Sequence, residues 1–258
     1  MNFVRALSLG EKEVISIVGA GGKTSLMYAL AHELAASNRK VLTTTTTKIF
    51  MPTHEESPVT IVTKVPEYFI DKARSALKDY FHLTVGAEYL PLHGKLLGVH
   101  PDFLKHIRQS SLFDYILIEA DGAARKSLKA CASHEPIVPF FTNRLVSLIG
   151  LDVVGKPLDE QWVFRSTIFS KITNLPLNQK VTEEAVANIT IHNAVKIAPA
   201  NKDMQRIVFL NKADNNQLFK TGERIAAILR TKGADIFHRV VIGTLGKEPT
   251  ILYCEDII

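Results

Sequence analysis

Three glycines in four positions, Gly19, Gly21 and Gly22, stand directly before Lys23 and Thr24, after an apolar run from Val14 to Val18. A loop between a strand and a helix exposes backbone N–H groups at the helix N-terminus, where the helix dipole favours an anion. Glycines let the main chain wrap phosphate oxygens closely. A lysine after the last glycine reaches the terminal phosphates, and a Ser or Thr hydroxyl can ligate magnesium. On this reading Gly19, Ala20, Gly21, Gly22, Lys23, Thr24 and Ser25 form a phosphate loop, with Thr24 a magnesium ligand. The loop is shorter than the usual pattern, since Ile17 stands where another glycine would be. A dinucleotide site is the rival. It wants glycine or alanine at Thr24 and an acidic residue about twenty positions on, but Thr43 to Thr47 are all threonine. A glycine turn without a ligand is the third reading.

Such a loop needs a carboxylate at the end of a neighbouring strand, for magnesium or for orienting water. The stretch YILIEADGA supplies Glu119 and Asp121, which period-two geometry sends to one side. Asp121-Gly122 is also a good turn. Of the pair, Asp121 is expected to join Thr24 on magnesium and Glu119 to orient water or ligate the metal indirectly. Asn211-Lys212-Ala213-Asp214 follows the apolar run RIVFL. In GTPases this pattern reads guanine: the aspartate accepts two N–H bonds, the lysine stem lies along the ring, and the asparagine ties the pocket together. The alternative is a polar loop in which Asp214 caps the next helix.

Other signals are weaker. Thr43 to Thr45 suit a strand, while Thr46 and Lys48 are candidate phosphate contacts. Arg125, Lys126, Lys129, His134 and Glu135 cluster after the acidic pair; of these, Arg125, His134 and Glu135 are candidate contacts for phosphate or an anionic substrate, against a solvated-loop reading. Cys131 and His134 make half a metal site without a second pair. His93, His100 and His106 lack ligand-like spacing and read as surface residues.

The elements that must position these residues alternate. Strands are expected at Glu13 to Val18, Lys40 to Thr47, Thr60 to Thr63, Thr84 to Leu90, Asp114 to Ala120, Leu145 to Ile149, Arg206 to Leu210 and finally Arg239 to Gly243. Helices are expected at Lys23 to Ala36, Pro66 to Phe81, Asp102 to Arg108, Thr182 to Ala194 and Gln217 to Thr231. The pattern implies an α/β fold, a mostly parallel sheet with helices on both faces, and ligands at the carboxyl ends of the strands. The 258 residues fit one domain, with residues 52–112 an insert or a lid. A net charge of +5, without a run of five like charges, does not argue for nucleic acid. No apolar run reaches membrane-spanning length. The N-terminus lacks a signal-peptide pattern, and two cysteines make no disulfide framework, so the cytoplasm is the expected location.

The short loop resembles those of Mur-type ligases and of nucleotide-binding metallochaperone and maturation GTPases, although Val18 stands where some of the latter carry an extra lysine. GAGGKTS, TTTTKI, IEADGA, KACASHEPIVP, GLDVVGKPL and FLNKAD occur in one order, roughly from Val14 to Gly243. Together they resemble the YqeC family, described as selenium-dependent hydroxylase accessory proteins. The resemblance implies a P-loop NTPase of three-layer architecture, associated with maturation of selenium-dependent molybdenum hydroxylases, whose partner would be such a hydroxylase or a cofactor-maturation protein. Carried over, Gly19 to Ser25 is the phosphate loop, Glu119 and Asp121 the acidic strand end, and His134-Glu135-Pro136 a motif of unassigned role. Asp152, Gly155 and Lys156 match the next motif. Where the family pattern has a His-Arg pair, this chain has Phe164-Arg165. The expected activity is binding and slow hydrolysis of a nucleoside triphosphate with Mg2+, GTP preferred over ATP, with Lys23 stabilising the transferred phosphoryl group. An ATP-dependent small-molecule kinase or ligase, and a non-catalytic nucleotide-binding adaptor, are the alternatives.

Overall fold

The computed structural model describes residues 1–197 and 203–257. In chain order its elements are α1 (Phe3–Ala6), β1 (Glu13–Gly19), α2 (Lys23–Ala36), β2 (Val41–Thr45), β3 (Lys48–Phe50), β4 (Thr60–Val62), α3 (Pro66–Ala76), β5 (His82–Gly86), β6 (Glu88–Leu90), β7 (Lys95–Leu97), α4 (Pro101–Gln109) and β8 (Tyr115–Glu119). There follow β9 (Leu128–Lys129), β10 (Arg144–Gly150), β11 (Val163–Phe164), α5 (Ser166–Thr173), α6 (Glu183–Ile197), β12 (Gln205–Asn211), α7 (Asn216–Lys232), β13 (Arg239–Thr244) and β14 (Thr250–Asp256).

Among the described residues, the main sheet has nine strands in the order β14-β13-β12-β10-β1-β8-β2-β5-β4. Every neighbouring pair is parallel except β13 with β14. Strand β1 lies between β10 and β8 because its run Val14–Val18 is apolar, apart from Ser16, on both faces, as a strand buried on both sides must be. Ser16 is no exception to that logic, since its hydroxyl is hydrogen-bonded to Thr142 at 2.9 Å. Alternate residues serve two cores. Ile15 and Ile17 pack with Leu26, Met27 and Leu30 of α2, while Val14 and Val18 pack with Phe69 of α3 and Leu104 of α4. A third core joins Val208, Leu210 and Ile242 to Val186 of α6 and Ile225 and Leu229 of α7. The mostly parallel sheet therefore carries helices on both faces.

Several boundaries differ from the sequence expectation, each for a local reason. The strand from Lys40 stops at Thr45, because the Thr45 hydroxyl turns back to accept from the Thr47 N–H at 3.0 Å and donates to the Glu119 carbonyl at 2.7 Å. The stretch Thr84 to Leu90 divides between two sheets at Ala87. Gly86 permits this: a Cβ there would stand 2.2 Å from Leu96, which packs directly over it. The helix from Pro66 ends at Ala76, where Leu77 and the turn after it take over the last carbonyls. The strand β13 is not the last, since β14 adds an antiparallel edge whose half-exposed pattern lacks the apolar run of the inner strands.

Residues 52–112, read from sequence as an insert or a lid, contribute β4 and β5 to the main sheet and α3 and α4 to the core over Val14 and Leu42. Within the same stretch, β6 and β7 join β3 in a separate three-stranded antiparallel sheet. Among the described residues, no helix is long and apolar enough to cross a membrane.

Candidate functional site

The turn between β1 and α2 is held in a shape that only glycine takes without strain. Gly19, Gly21 and Gly22 have φ of 93°, 89° and 125°. A Cβ on Gly19 would stand 2.3 Å from the Leu148 carbonyl oxygen, and one on Gly21 would stand 2.5 Å from the Gly150 nitrogen. The loop is thus pressed against the end of β10. Gly22 is the helix N-cap and offers no side chain there, so the first N–H groups of α2 have no side-chain cap.

Lys23 is buried, and its ammonium is gathered into the loop. Nζ donates to the Gly19 carbonyl at 2.8 Å and lies 3.2 Å from Asp121 Oδ1 and 3.7 Å from Glu119 Oε1. The acidic pair therefore converges as its spacing predicts. Its roles, however, divide differently from the expectation. The Thr24 hydroxyl donates to Glu119 Oε2 at 2.7 Å, and Thr24 and Glu119 both line the cleft. Asp121, the expected partner of Thr24, is fully buried behind them. Its Oδ2 accepts the Gly19 N–H at 3.0 Å and lies 2.9 Å from the Lys129 ammonium. Burial pushes the Glu119 carboxyl above the usual carboxylate range, opposed by Lys23 and the Thr24 hydroxyl.

Lys129 belongs to the cluster whose cations read from sequence either as contacts for phosphate or an anionic substrate or as solvated loop residues, and it is buried. It donates to the Gly122 carbonyl at 2.7 Å and to Glu135 Oε2 at 2.8 Å as well as meeting Asp121. Burial works against its charge, but Asp121 and Glu135 prevail and its pKa is raised. Arg165, in the left-handed region at φ 63°, forks onto Glu135: Nη1 to Oε2 at 2.6 Å and Nη2 to Oε1 at 2.9 Å. Its guanidinium lies 4.5 Å from the Phe164 ring centroid, so that aromatic serves as a platform. Although burial opposes it, these hydrogen bonds hold the Glu135 carboxyl down to about 2. Because this folded value is depressed, the stability it contributes is complete above the unfolded pKa near 4.3 and is lost as pH falls toward 2. Wild type should therefore show a falling urea midpoint between pH 5 and pH 3, and Glu135→Gln a clearly shallower fall; equal slopes would dismiss the pair as a source of acid sensitivity.

The Asn211–Asp214 motif borders the same cleft as Thr24. Asn211 at the end of β12 donates from Nδ2 to the Gly21 carbonyl at 2.6 Å, which fastens the motif to the glycine loop. Lys212, at φ 67°, donates to Ser127 Oγ and Asp152 Oδ2, each at 2.8 Å. Asp214 accepts from the Thr244 hydroxyl and lines the cleft with Thr244, Leu245 and Gly246. It is not the helix cap: Asn215 takes that place, accepting from the Leu218 N–H at 2.9 Å.

One cleft of about 1370 Å³ connects these parts, from Gly21–Ser25 to Asp214, and extends past Lys48 and Arg125. Thr46 reaches it, but its hydroxyl is committed to the Ile137 carbonyl at 3.0 Å. The hydroxyls of Thr43 and Thr44 bond within the sheet, to Thr84 and to the Val85 carbonyl. Lys48 stands exposed on the wall, Arg125 lies over the Phe50 ring at 4.4 Å, and His134 is an exposed rim residue 4.0 Å from Glu135. Cys131 is buried, and burial pushes its thiol up to about 11. Among the described residues, no three His, Cys, Asp or Glu side chains group so as to hold a metal ion. Ser127, Lys129, Asp152 and the Thr244–Gly246 loop carry no functional assignment from sequence alone; the last has a signal, a small-residue turn directly after the apolar strand β13.

A glycine turn joining a central parallel strand to a helix, with an acid from the next strand on the helix's first hydroxyl, defines a P-loop-type α/β protein. The chain belongs to the YqeC family: the family described as YqeC protein matches residues 15–167. It is 33% identical over 199 residues to a protein of Escherichia coli (strain K12) described as "Uncharacterized protein YqeC", covering 77% of this chain and 75% of that one. Two crystal structures of FtsY from Mycoplasma mycoides are also similar, at 14% and 13% identity and TM-scores of 0.42 and 0.41. They cover 97% and 96% of this chain, which spans 66% and 67% of theirs.

Proposed function

We propose that the cleft binds a nucleoside triphosphate with Mg2+, GTP in preference to ATP, and hydrolyses it slowly. The observation that carries this reading is the Asn211–Gly21 hydrogen bond at 2.6 Å, which brings a phosphate-loop turn and a base-reading motif into one cleft. The first N–H groups of α2 point their dipole at the triphosphate. Lys23 places a charge beside its terminal group, held there by the Gly19 carbonyl. Thr24 and Glu119 form a hard-oxygen pair that suits Mg2+, which when bound would neutralise phosphate charge. Glu119, which lines the cleft beside Thr24, is also the group that would orient the attacking water. Asp121 acts on the loop rather than on the ligand, by anchoring the Gly19 N–H. At the far end, Asp214 offers acceptors to the two N–H donors of a guanine edge. Its exclusion as helix cap favours that role.

The family resemblance adds a setting for this chemistry: an accessory step in maturation of selenium-dependent molybdenum hydroxylases. A kinase or ligase reading draws support from the volume of the cleft, about 1370 Å³.

Calorimetric titration with magnesium-GTP and magnesium-ATP tests the base assignment. Asp214→Ala should weaken GTP binding about 10- to 100-fold, the worth of a charge-assisted bidentate contact, and leave ATP within a factor of two. Equal weakening of both nucleotides would remove Asp214 from base recognition.

A further inference from the structure

The small sheet and the loop after Asp121 line one wall of the cleft with Lys48, Lys95 and Arg125. The small sheet has two unlike faces. Ile49 and Leu96 point into the core under α2 and are buried, while the register pairs Phe50 with Lys95 and Lys48 with Leu97 on the other face. That face fronts the cleft. From the loop after Asp121, Arg125 reaches across and lies 4.4 Å from the Phe50 ring centroid, with Lys95 at 5.3 Å. The loop adopts a costly shape to do so: Ala124 and Arg125 are consecutive non-glycine residues at φ 46° and 61°. Among the described residues, Lys48, Lys95 and Arg125 share no ion pair with a carboxylate, whereas the cleft cations Lys23 and Lys212 do; Lys126 also borders the cleft without one. Glu56 also borders this space, with its carboxylate accepting the Thr53 N–H at 2.9 Å. The cleft, at about 1370 Å³, exceeds the roughly 300–1,000 Å³ that one small ligand occupies.

We propose that Lys48, Lys95 and Arg125 form a second subsite in the same cleft, which holds a small phosphorylated molecule beside the terminal phosphate of the nucleotide. Three cations on rigid strand and loop positions, one of them a fork pinned on an aromatic ring, suit a phosphate dianion. The inference rests on the nucleotide reading, since that reading assigns the other half of the cleft to the triphosphate.

Inorganic pyrophosphate, with free Mg2+ matched, serves as the probe, titrated into protein already saturated with a non-hydrolysable GTP analogue. Wild type should take up one further pyrophosphate. In the Lys95→Ala/Arg125→Ala variant that affinity should fall at least tenfold relative to the analogue's, and Lys48→Gln, which alters one exposed side chain, should show a smaller loss in the same direction. No uptake by the saturated protein, or uptake equal in all three proteins, overturns the subsite. Failure of the analogue itself to bind wild type is a different result and refutes the nucleotide reading. In that case pyrophosphate alone is titrated: a loss confined to Lys95→Ala/Arg125→Ala sustains the subsite, and a loss confined to Lys23→Ala overturns it.

Discussion

Replacing Lys129 by methionine should lower the free energy of unfolding by about 3–5 kcal/mol, the cost of removing one partner from a buried ionic group. Lys129 is 2% exposed and its ammonium meets Asp121, Glu135 and the Gly122 carbonyl within 2.9 Å. Methionine fills the space but leaves the fully buried Asp121 with Lys23, at 3.2 Å, as its remaining cation. The loss should reach the site as well, because the same carboxylate receives the Gly19 N–H. Urea unfolding of Lys129→Met, Asp121→Asn and the double variant measures the coupling. The double variant should be more stable than the sum of the singles predicts, by 1 kcal/mol or more. Additive losses would mean that the two groups do not stabilise one another.

The second large effect is on binding. Lys23→Ala should weaken magnesium-triphosphate binding roughly 30- to 150-fold, or about 2–3 kcal/mol, the range for a charge-assisted hydrogen bond. Glu119 and Asp121 would also lose their shared cation, so binding must be measured where circular dichroism shows the variant folded. Unchanged affinity in a folded variant would take the glycine loop out of the site.

Much of the site is legible in the sequence, since its chemistry depends on residues adjacent in the chain. Gly19 to Thr24 and Asn211 to Asp214 each carry their own spacing, and apolar runs before both locate them at strand ends. Which of Glu119 and Asp121 faces the cleft is not legible. That depends on Lys129, whose burial follows from Glu135 and Arg165 closing over it, contacts made between segments 6 and 30 positions apart. In sequence, a lysine among charged neighbours reads as solvated. The small sheet is hidden for a related reason. Its strands are three residues long, and the alternation Lys48-Ile49-Phe50 is too short to signal a strand until β7 pairs with it. Inner strands such as β1, β8 and β12 are easier, because burial on both faces favours a nearly continuous apolar run, while β2 buries three threonines by bonding their hydroxyls within the sheet.

The bond between Asn211 and the Gly21 carbonyl joins positions 190 residues apart. In folding terms this is a contact of very high sequence separation, and closing so long a loop costs chain entropy that few early contacts repay. During synthesis, the glycine turn emerges long before the strand that staples it. Until β12 docks beside β10, the Gly21 carbonyl lacks this partner and the Asn211–Asp214 side of the cleft does not exist. A ligand that spanned both halves would therefore bind only once β12 has docked, and through mass action its concentration would contribute to how much of the chain stays folded.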